Sequence, residues 1–91
     1  MRSFEDVPND EDTTIKMSVT ASLEPYEVLY QAWRWDGIDG ESIIFHTDDV
    51  AALSDDALRA LVSESPLVDT TIAMTLKRAG KFIFVNFNFR S

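Results

Sequence analysis

Apolar and polar residues alternate along the first strongly patterned segment of the chain. From Ile15 to Ala21 every second position is apolar, and the residues between are Lys, Ser and Thr. A period of two is typical of a β-strand, in which successive side chains point to opposite faces of the sheet. The pattern therefore predicts a strand that begins at Thr13 and buries one of its faces.

The next apolar segment, residues 23–35, supports two interpretations. As a helix, it would place Leu23, Tyr26, Tyr30 and Trp33 on one stripe, with an Asp-Gly step as its stop. As a strand, it contains residue types that favour sheets, but they alternate poorly with polar ones. Short apolar segments do not distinguish the two by periodicity, and the residue types narrowly favour the strand.

A turn and a second strand follow. Residues 36–40 have the sequence DGIDG, and the two Asp-Gly steps predict a turn across the whole segment. Residues 42–46, SIIFH, are almost continuously apolar. A strand with two apolar faces belongs in the interior of a sheet, so this strand is expected to be central.

Two helix starts are indicated by a hydroxyl residue before a pair of aspartates. Thr47 precedes residues 48–49, and Ser54 precedes residues 55–56. In each case the hydroxyl can cap free backbone N–H groups, while the carboxylates lie near the positive end of the helix dipole. Apolar residues at helical spacing follow, and Pro66 is expected to end the helix.

The last quarter of the chain predicts a β-hairpin. Residues 70–77 and 82–89 flank the connection 78–81, in which glycine supplies a positive φ. Pairing Arg78 with Lys81 places three apolar pairs on one face: Leu76 with Ile83, Met74 with Val85, and Ile72 with Phe87. A slip of one residue would invert the faces, so these pairs define the expected register.

Together these elements predict an α+β fold. We expect an antiparallel sheet of four to five strands, one main helix (or two) packed on one face, and a C-terminal β-hairpin. The length of 91 residues suits a single domain, here residues 13–91. Residues 1–12 hold five acids and no periodic pattern, and they are expected to form a flexible acidic arm.

Composition narrows the functional classes. The chain has no cysteine, which excludes disulfides and thiolate metal sites and is compatible with a reducing, cytoplasmic location. No apolar run reaches the length of a membrane span. The net charge of −8 argues against direct binding to nucleic acid or to anionic membranes.

Candidate chemistry is sparse. His46 is the only histidine of the chain. It could act as a general base oriented by Asp48 or Asp49, but a histidine at the end of a strand, in a polar turn, is the favoured interpretation. Asp36, Asp39 and Glu41 could gather around calcium, but their spacing does not match an EF-hand loop. Three glycines leave no phosphate-binding loop. The sequence therefore predicts no enzyme, no metal site and no cofactor.

Charge is distributed unevenly along the chain. Residues 1–64 carry fifteen acids and four bases, whereas residues 65–91 carry one acid and four bases. An acidic field of this kind steers a protein towards basic surfaces. The size and acidity are similar to those of small inhibitors carried by phages and mobile elements, including anti-CRISPR proteins, although no motif accompanies this likeness.

The leading hypothesis is a non-enzymatic inhibitor whose carboxylates mimic phosphates and block the basic, nucleic-acid-binding surface of a larger protein. The candidate acids are Asp36, Asp39, Glu41, Asp48, Asp49, Asp55 and Asp56. The alternative is a host adaptor or accessory subunit that binds through Trp33, Trp35, Phe82 and Phe84, with the acids serving solubility or adaptation to high salt. A homodimer is compatible with either hypothesis, and neither involves a membrane.

Overall fold

A five-stranded antiparallel sheet and one helix make up the described residues of the computed structural model, which are 12–48, 52–68 and 74–88. This is the α+β class that the sequence predicts. The elements are β1 (Thr13–Leu23), β2 (Tyr26–Trp35), β3 (Ile38–His46), α1 (Asp55–Ser63), β4 (Met74–Ala79) and β5 (Phe82–Asn88). The strands lie in the order β1-β2-β3-β5-β4. The expected arm up to residue 11, Asp49 and Ile72 lie outside the described residues.

The third strand is the centre of the sheet, as its apolar sequence predicts. It pairs with β2 on one side and with β5 on the other. Because β4 and β3 both run antiparallel to β5, they run parallel to each other. The chain therefore leaves β3, forms α1, and returns as β4 on the far side of β5.

The ambiguous segment 23–35 is a strand, and the helical interpretation is wrong. Val28 and Tyr30 are buried, with exposed fractions of 1% and 2%, while Leu29 between them is half-buried. Both faces of β2 thus contact other side chains. The sequence alternation is weak because the half-buried second face of this strand also carries apolar residues, such as Leu29 and Trp33.

Of the turn predicted at residues 36–40, only Asp36 and Gly37 form a turn. Asp36 and Gly37 have φ values of 51° and 77°, the two positive angles that a two-residue type I′ hairpin turn requires. Asp39 and Gly40 instead lie within β3. The predicted turn at the second Asp-Gly step is therefore wrong. Gly40 has a different role there, since it lies directly opposite Trp33.

The first strand begins at Thr13, as predicted, but its expected buried face is covered only at the C-terminal end, where Leu23 is buried and Ala21 packs against the core cluster. Its register shifts between Ile15 and Met17, so Ile15 lies opposite Trp33 whereas Met17 lies opposite Ala32. An extra residue at such a bulge moves the following side chains to the other face. Met17 is 48% exposed and Val19 40% exposed, because β1 lies at the edge of the sheet.

The register of β4 against β5 differs from the expected one by two residues. Leu76 lies opposite Val85 and Met74 opposite Phe87, so the predicted pairs Leu76–Ile83 and Met74–Val85 are wrong. Ala79 pairs with Phe82, and only Gly80 and Lys81 connect the strands. Gly80 has a φ of 60°, which permits this shorter turn. A shift of two residues preserves the faces.

The helix begins after Ser54, as predicted. The Ser54 hydroxyl accepts a hydrogen bond from the Ala57 backbone nitrogen at 3.2 Å. At the other expected start, the Thr47 backbone nitrogen donates to the Lys81 carbonyl at 2.9 Å, and residues 49–51 lie outside the described ranges. Helix α1 extends to Ser63, before Pro66.

The two faces of the sheet carry different side chains. One face contributes to a buried cluster with the helical residues Leu58 and Val62; we call it the core face, and its members include Val28, Tyr30, Ile43, Phe45, Ile83, Val85 and Phe87. The other, which we call the aromatic face, carries Trp33, Trp35, Ile38, Ile44, Phe82 and Phe84. Ile44 and Phe82 are buried although they lie outside the core cluster.

Candidate functional site

Two exposed apolar side chains flank the turn between β2 and β3. Trp35 and Ile38 lie directly opposite each other and are 44% and 43% exposed. Asp36 lies between them in the turn and is exposed. We call Trp35, Asp36 and Ile38 the turn patch. It combines an aromatic ring, an aliphatic side chain and a carboxylate at one end of the sheet.

Trp33, the other candidate tryptophan, is held in place by the aromatic face. Its Nε1 donates a hydrogen bond to the Ser42 hydroxyl at 2.7 Å, and that hydroxyl donates to Asn86 Oδ1 at 2.6 Å. The Trp33 ring also covers Gly40. Its side chain is half-buried, so Trp33 supports the sheet more than it offers surface to a partner.

The two candidate phenylalanines differ in exposure. Phe82 is only 8% exposed, and its ring centroid lies 5.1 Å from that of His46. Phe84 is half-buried and lies opposite Ile44. Phe82 therefore offers little surface to a partner, because the His46 ring packs against it, whereas Phe84 is partly accessible.

Asp39 is held by two cations, one on the neighbouring strand β2 and one on β1, beyond it. Arg34, its register partner, donates from Nε to Oδ1 at 2.8 Å and from Nη2 to Oδ2 at 3.3 Å, and Lys16 Nζ lies 3.5 Å from Oδ1. The hydrogen bond from Arg34 lowers the pKa of Asp39 and, reciprocally, raises that of Arg34. Both side chains are well exposed, so the pair is solvent-screened.

Glu41 points to the core face. It accepts a hydrogen bond from the Tyr30 hydroxyl, and its side chain is half-buried. Burial, followed by the hydrogen bond to Glu41 and its negative charge, raises the pKa of Tyr30. Glu41 therefore satisfies a buried hydroxyl and offers less charge to a partner than an exposed acid would.

The candidate acids at the opposite end of the sheet are also paired with bases. The distances are 3.2 Å for Asp48 Oδ1 to Lys81 Nζ, 3.0 Å for Asp55 Oδ1 to Arg78 Nη2, and 3.9 Å for Asp56 Oδ1 to Arg59 Nη1. Arg78 Nη2 also donates to the Leu53 carbonyl at 2.7 Å. Asp48, Asp55 and Asp56 remain well exposed.

The candidate acids form two groups and not one surface. Asp36 precedes β3, and Asp39 and Glu41 lie in its first half, whereas Asp48 lies beyond its other end. That strand has nine residues, and at about 3.4 Å per residue it spans roughly 27 Å. Within the described residues, ten acids face six bases, a balance of −4 out of the total of −8.

The described residues contain neither a metal-ligand cluster nor a membrane-spanning helix. No group of three or more His, Asp or Glu side chains could hold a metal ion there. No helix in the described ranges combines the length and hydropathy of a membrane span. No protein-family model, curated protein or solved structure matches the chain.

Sequence reasoning overlooked Ile38, which completes the turn patch. The signal was present, because an Asp-Gly step between two β-favouring segments is the strongest short-range hairpin signal. A two-residue turn at Asp36 and Gly37 pairs Trp35 with Ile38 directly. A turn that spans all of residues 36–40 leaves Ile38 outside the strand, so the sequence prediction does not contain the Trp35–Ile38 pair.

Proposed function

We propose that this chain is a small non-enzymatic binding protein that blocks a basic, nucleic-acid-binding surface of a larger protein. The turn patch is the observation that carries the proposal. Tryptophan is enriched among the residues that dominate binding energy, and an acid beside it favours a basic partner. Trp35 and Ile38 supply apolar contact area there, and Asp36 supplies the charge.

The overall charge supports the same kind of partner. Exposed ion pairs such as Asp48–Lys81 contribute about 0–1 kcal/mol, so a lysine or arginine of a partner can replace the internal base at little cost. The net charge of −8 accelerates encounter with a basic surface. Paired acids can thus still act in binding, although Asp36 is placed best.

The proposed architecture leaves the aromatic face and the turn patch for the partner. We take α1 to pack on the core face, since Leu58 and Val62 belong to its buried cluster. We take β4 and β5 to form a C-terminal hairpin, because they are antiparallel neighbours connected by two residues. The absence of cysteine is compatible with action in the cytoplasm.

The second candidate is an adaptor or accessory subunit that binds through apolar contacts, with the acids serving solubility. The exposure of Trp35 and Ile38 favours it equally. Its specific support is the pairing of Asp39, Asp48, Asp55 and Asp56 with internal bases, which partly neutralises these acids.

Salt and nucleic acid separate the two functions. The full chain is immobilised, its partner is captured from lysate of the source cells and identified, and the purified complex is then measured across ionic strengths. A phosphate mimic loses affinity steeply as salt rises and is displaced by excess nucleic acid. A complex that resists both treatments, but is lost in Trp35→Ala, contradicts the inhibitor and supports the adaptor.

A further inference from the structure

Strand β1 presents an edge with little protection against pairing. As the first strand in the sheet order, it pairs with β2 alone among the described strands. Edge strands are usually blocked by charges, prolines or bulges. In β1, the bulge and Lys16 occupy the N-terminal half, whereas residues 17–23, MSVTASL, contain no charge and no proline and keep a regular register with β2.

We propose that residues 17–23 pair antiparallel with the same residues of a second copy of this chain. The two-fold axis passes through Thr20 and stands perpendicular to the sheet. Thr20 then lies opposite Thr20 of the second copy, Val19 opposite Ala21, and Met17 opposite Leu23. Two five-stranded sheets join into one continuous sheet, independently of the function proposed above.

The face of each side chain supports this register. Met17, Val19, Ala21 and Leu23 alternate along β1 on the core face, and the residues between them are Ser18, Thr20 and Ser22. When the two copies pair symmetrically around Thr20, apolar residues lie opposite apolar residues and hydroxyl residues lie opposite hydroxyl residues, an arrangement that stabilises cross-strand pairs. A slip of one residue mixes them. Met17 and Val19, 48% and 40% exposed, gain apolar neighbours.

Lys16 and Glu24, the oppositely charged residues that flank residues 17–23, favour a second copy as the occupant. Two chains of charge −8 repel each other, and an uncharged segment is where they can approach most closely. In this register, Lys16 lies opposite Glu24 of the second copy, and the symmetry creates that pair twice. Glu24 is exposed and accepts a hydrogen bond from the Ser22 hydroxyl at 3.2 Å, and Lys16, 45% exposed, lies 3.5 Å from Asp39 Oδ1. Exposed contacts of this kind contribute little to stability, so either can be exchanged for the pair across the interface. The same edge therefore carries both the lysine and the glutamate that pair across the interface.

The oligomeric state of the full chain is the first test. Sedimentation equilibrium should show a monomer–dimer equilibrium. Val19→Lys places like charges across the interface and should raise the dimer dissociation constant by about tenfold or more. Thr75→Lys is the matched control, since Thr75 is exposed on β4, the strand at the opposite edge of the sheet, and it should leave the constant unchanged. A monomer at every concentration up to the millimolar range overturns the proposal.

Cross-linking and charge exchange test the register. Because the chain has no cysteine, Thr20→Cys should form a symmetric disulfide in the dimer when oxidised glutathione is added as the oxidant, whereas Lys77→Cys on the other edge strand should not. Lys16→Glu should weaken the dimer, and adding Glu24→Lys should restore it. A dimer that cross-links through position 77, or whose charge exchange gives no rescue, rules out the β1 register.

Discussion

The indole ring of Trp33 on β2 lies against Gly40 on β3, in the space that a side chain at position 40 would fill. The ring is fixed there by the hydrogen bond from its Nε1 to the Ser42 hydroxyl. Glycine at position 40 is therefore required by packing and not by a turn. A wider residue must displace a ring that other contacts hold.

Gly40→Ala should lower the free energy of unfolding by about 1–3 kcal/mol, the cost of forcing a side chain into a packed site. Alanine in a strand is otherwise more favourable than glycine, so a loss reports the clash with Trp33. Urea denaturation measures it. In a Trp33→Leu background the same change should cost much less, and equal costs in both backgrounds would contradict the ring contact.

The helix cap allows a second stability test with an internal control. Ser54→Ala removes the acceptor of the Ala57 backbone N–H and should destabilise the protein by about 1 kcal/mol. Ser63→Ala, in the last turn of the same helix, removes only a hydroxyl that donates to the Ala60 carbonyl and should change stability by less than about 0.5 kcal/mol. Equal effects would show that Ser54 does not cap α1.

The raised pKa of Tyr30, which burial and the hydrogen bond to Glu41 cause, predicts that the protein loses stability at alkaline pH. The pKa of Tyr30 is raised in the folded protein, chiefly by burial and then by Glu41. A raised pKa means that the folded state favours the neutral phenol. The contribution of Tyr30 to the free energy of unfolding is therefore complete below the pKa that Tyr30 has in the unfolded chain, and it is lost as the pH rises towards the pKa in the folded protein. Tyr30→Phe should cost about 1.5 kcal/mol at neutral pH and remove part of the alkaline dependence. Thermal unfolding between neutral and alkaline pH tests this, with Tyr26→Phe as the control.

The lowered pKa of Asp39 predicts the opposite dependence, a loss of stability as the pH falls. Its pKa is lowered, first by the hydrogen bond from Arg34, so its stabilising contribution is present above the unfolded pKa and is lost as pH falls through the folded pKa. Asp39→Asn should therefore lower the thermal midpoint at neutral pH and converge with the unmodified protein in acid. Asp56→Asn removes a carboxylate whose side chain is 97% exposed and should leave the midpoint nearly unchanged. A difference for Asp39→Asn that persists unchanged in acid would show that charge is not the cause.

The fold could be predicted from the sequence where a single pattern determined each element. The alternation after Thr13, the apolar run at 42–46 and the Ser54 cap all have local causes, and the structure confirms each as a strand or helix start. The register of β4 against β5 was not predictable in the same way. Two registers that differ by two residues place the same apolar residues on the same face, and turn length alone separates them.

The candidate site was less predictable because exposure and ion pairing depend on the whole sheet. The sequence shows that Asp39 and Arg34 are five residues apart, but only the two-residue turn brings them opposite each other. Likewise, Met17 and Val19 follow the pattern of buried residues, yet they are exposed because β1 is an edge. Sequence position alone does not identify an edge strand.

Binding kinetics should separate the two components of the turn patch. Asp36 has a φ of 51°, a conformation that asparagine also tolerates, so Asp36→Asn removes a charge without straining the turn. It should slow association with a basic partner at low salt and leave dissociation nearly unchanged, because long-range attraction acts on the encounter. Trp35→Ala removes contact area and should instead accelerate dissociation. Asp56→Asn, beyond the far end of β3, is the control for a general loss of charge. If Asp56→Asn slows association as much as Asp36→Asn does, the acids act as a diffuse field and the turn patch contributes only its apolar contacts.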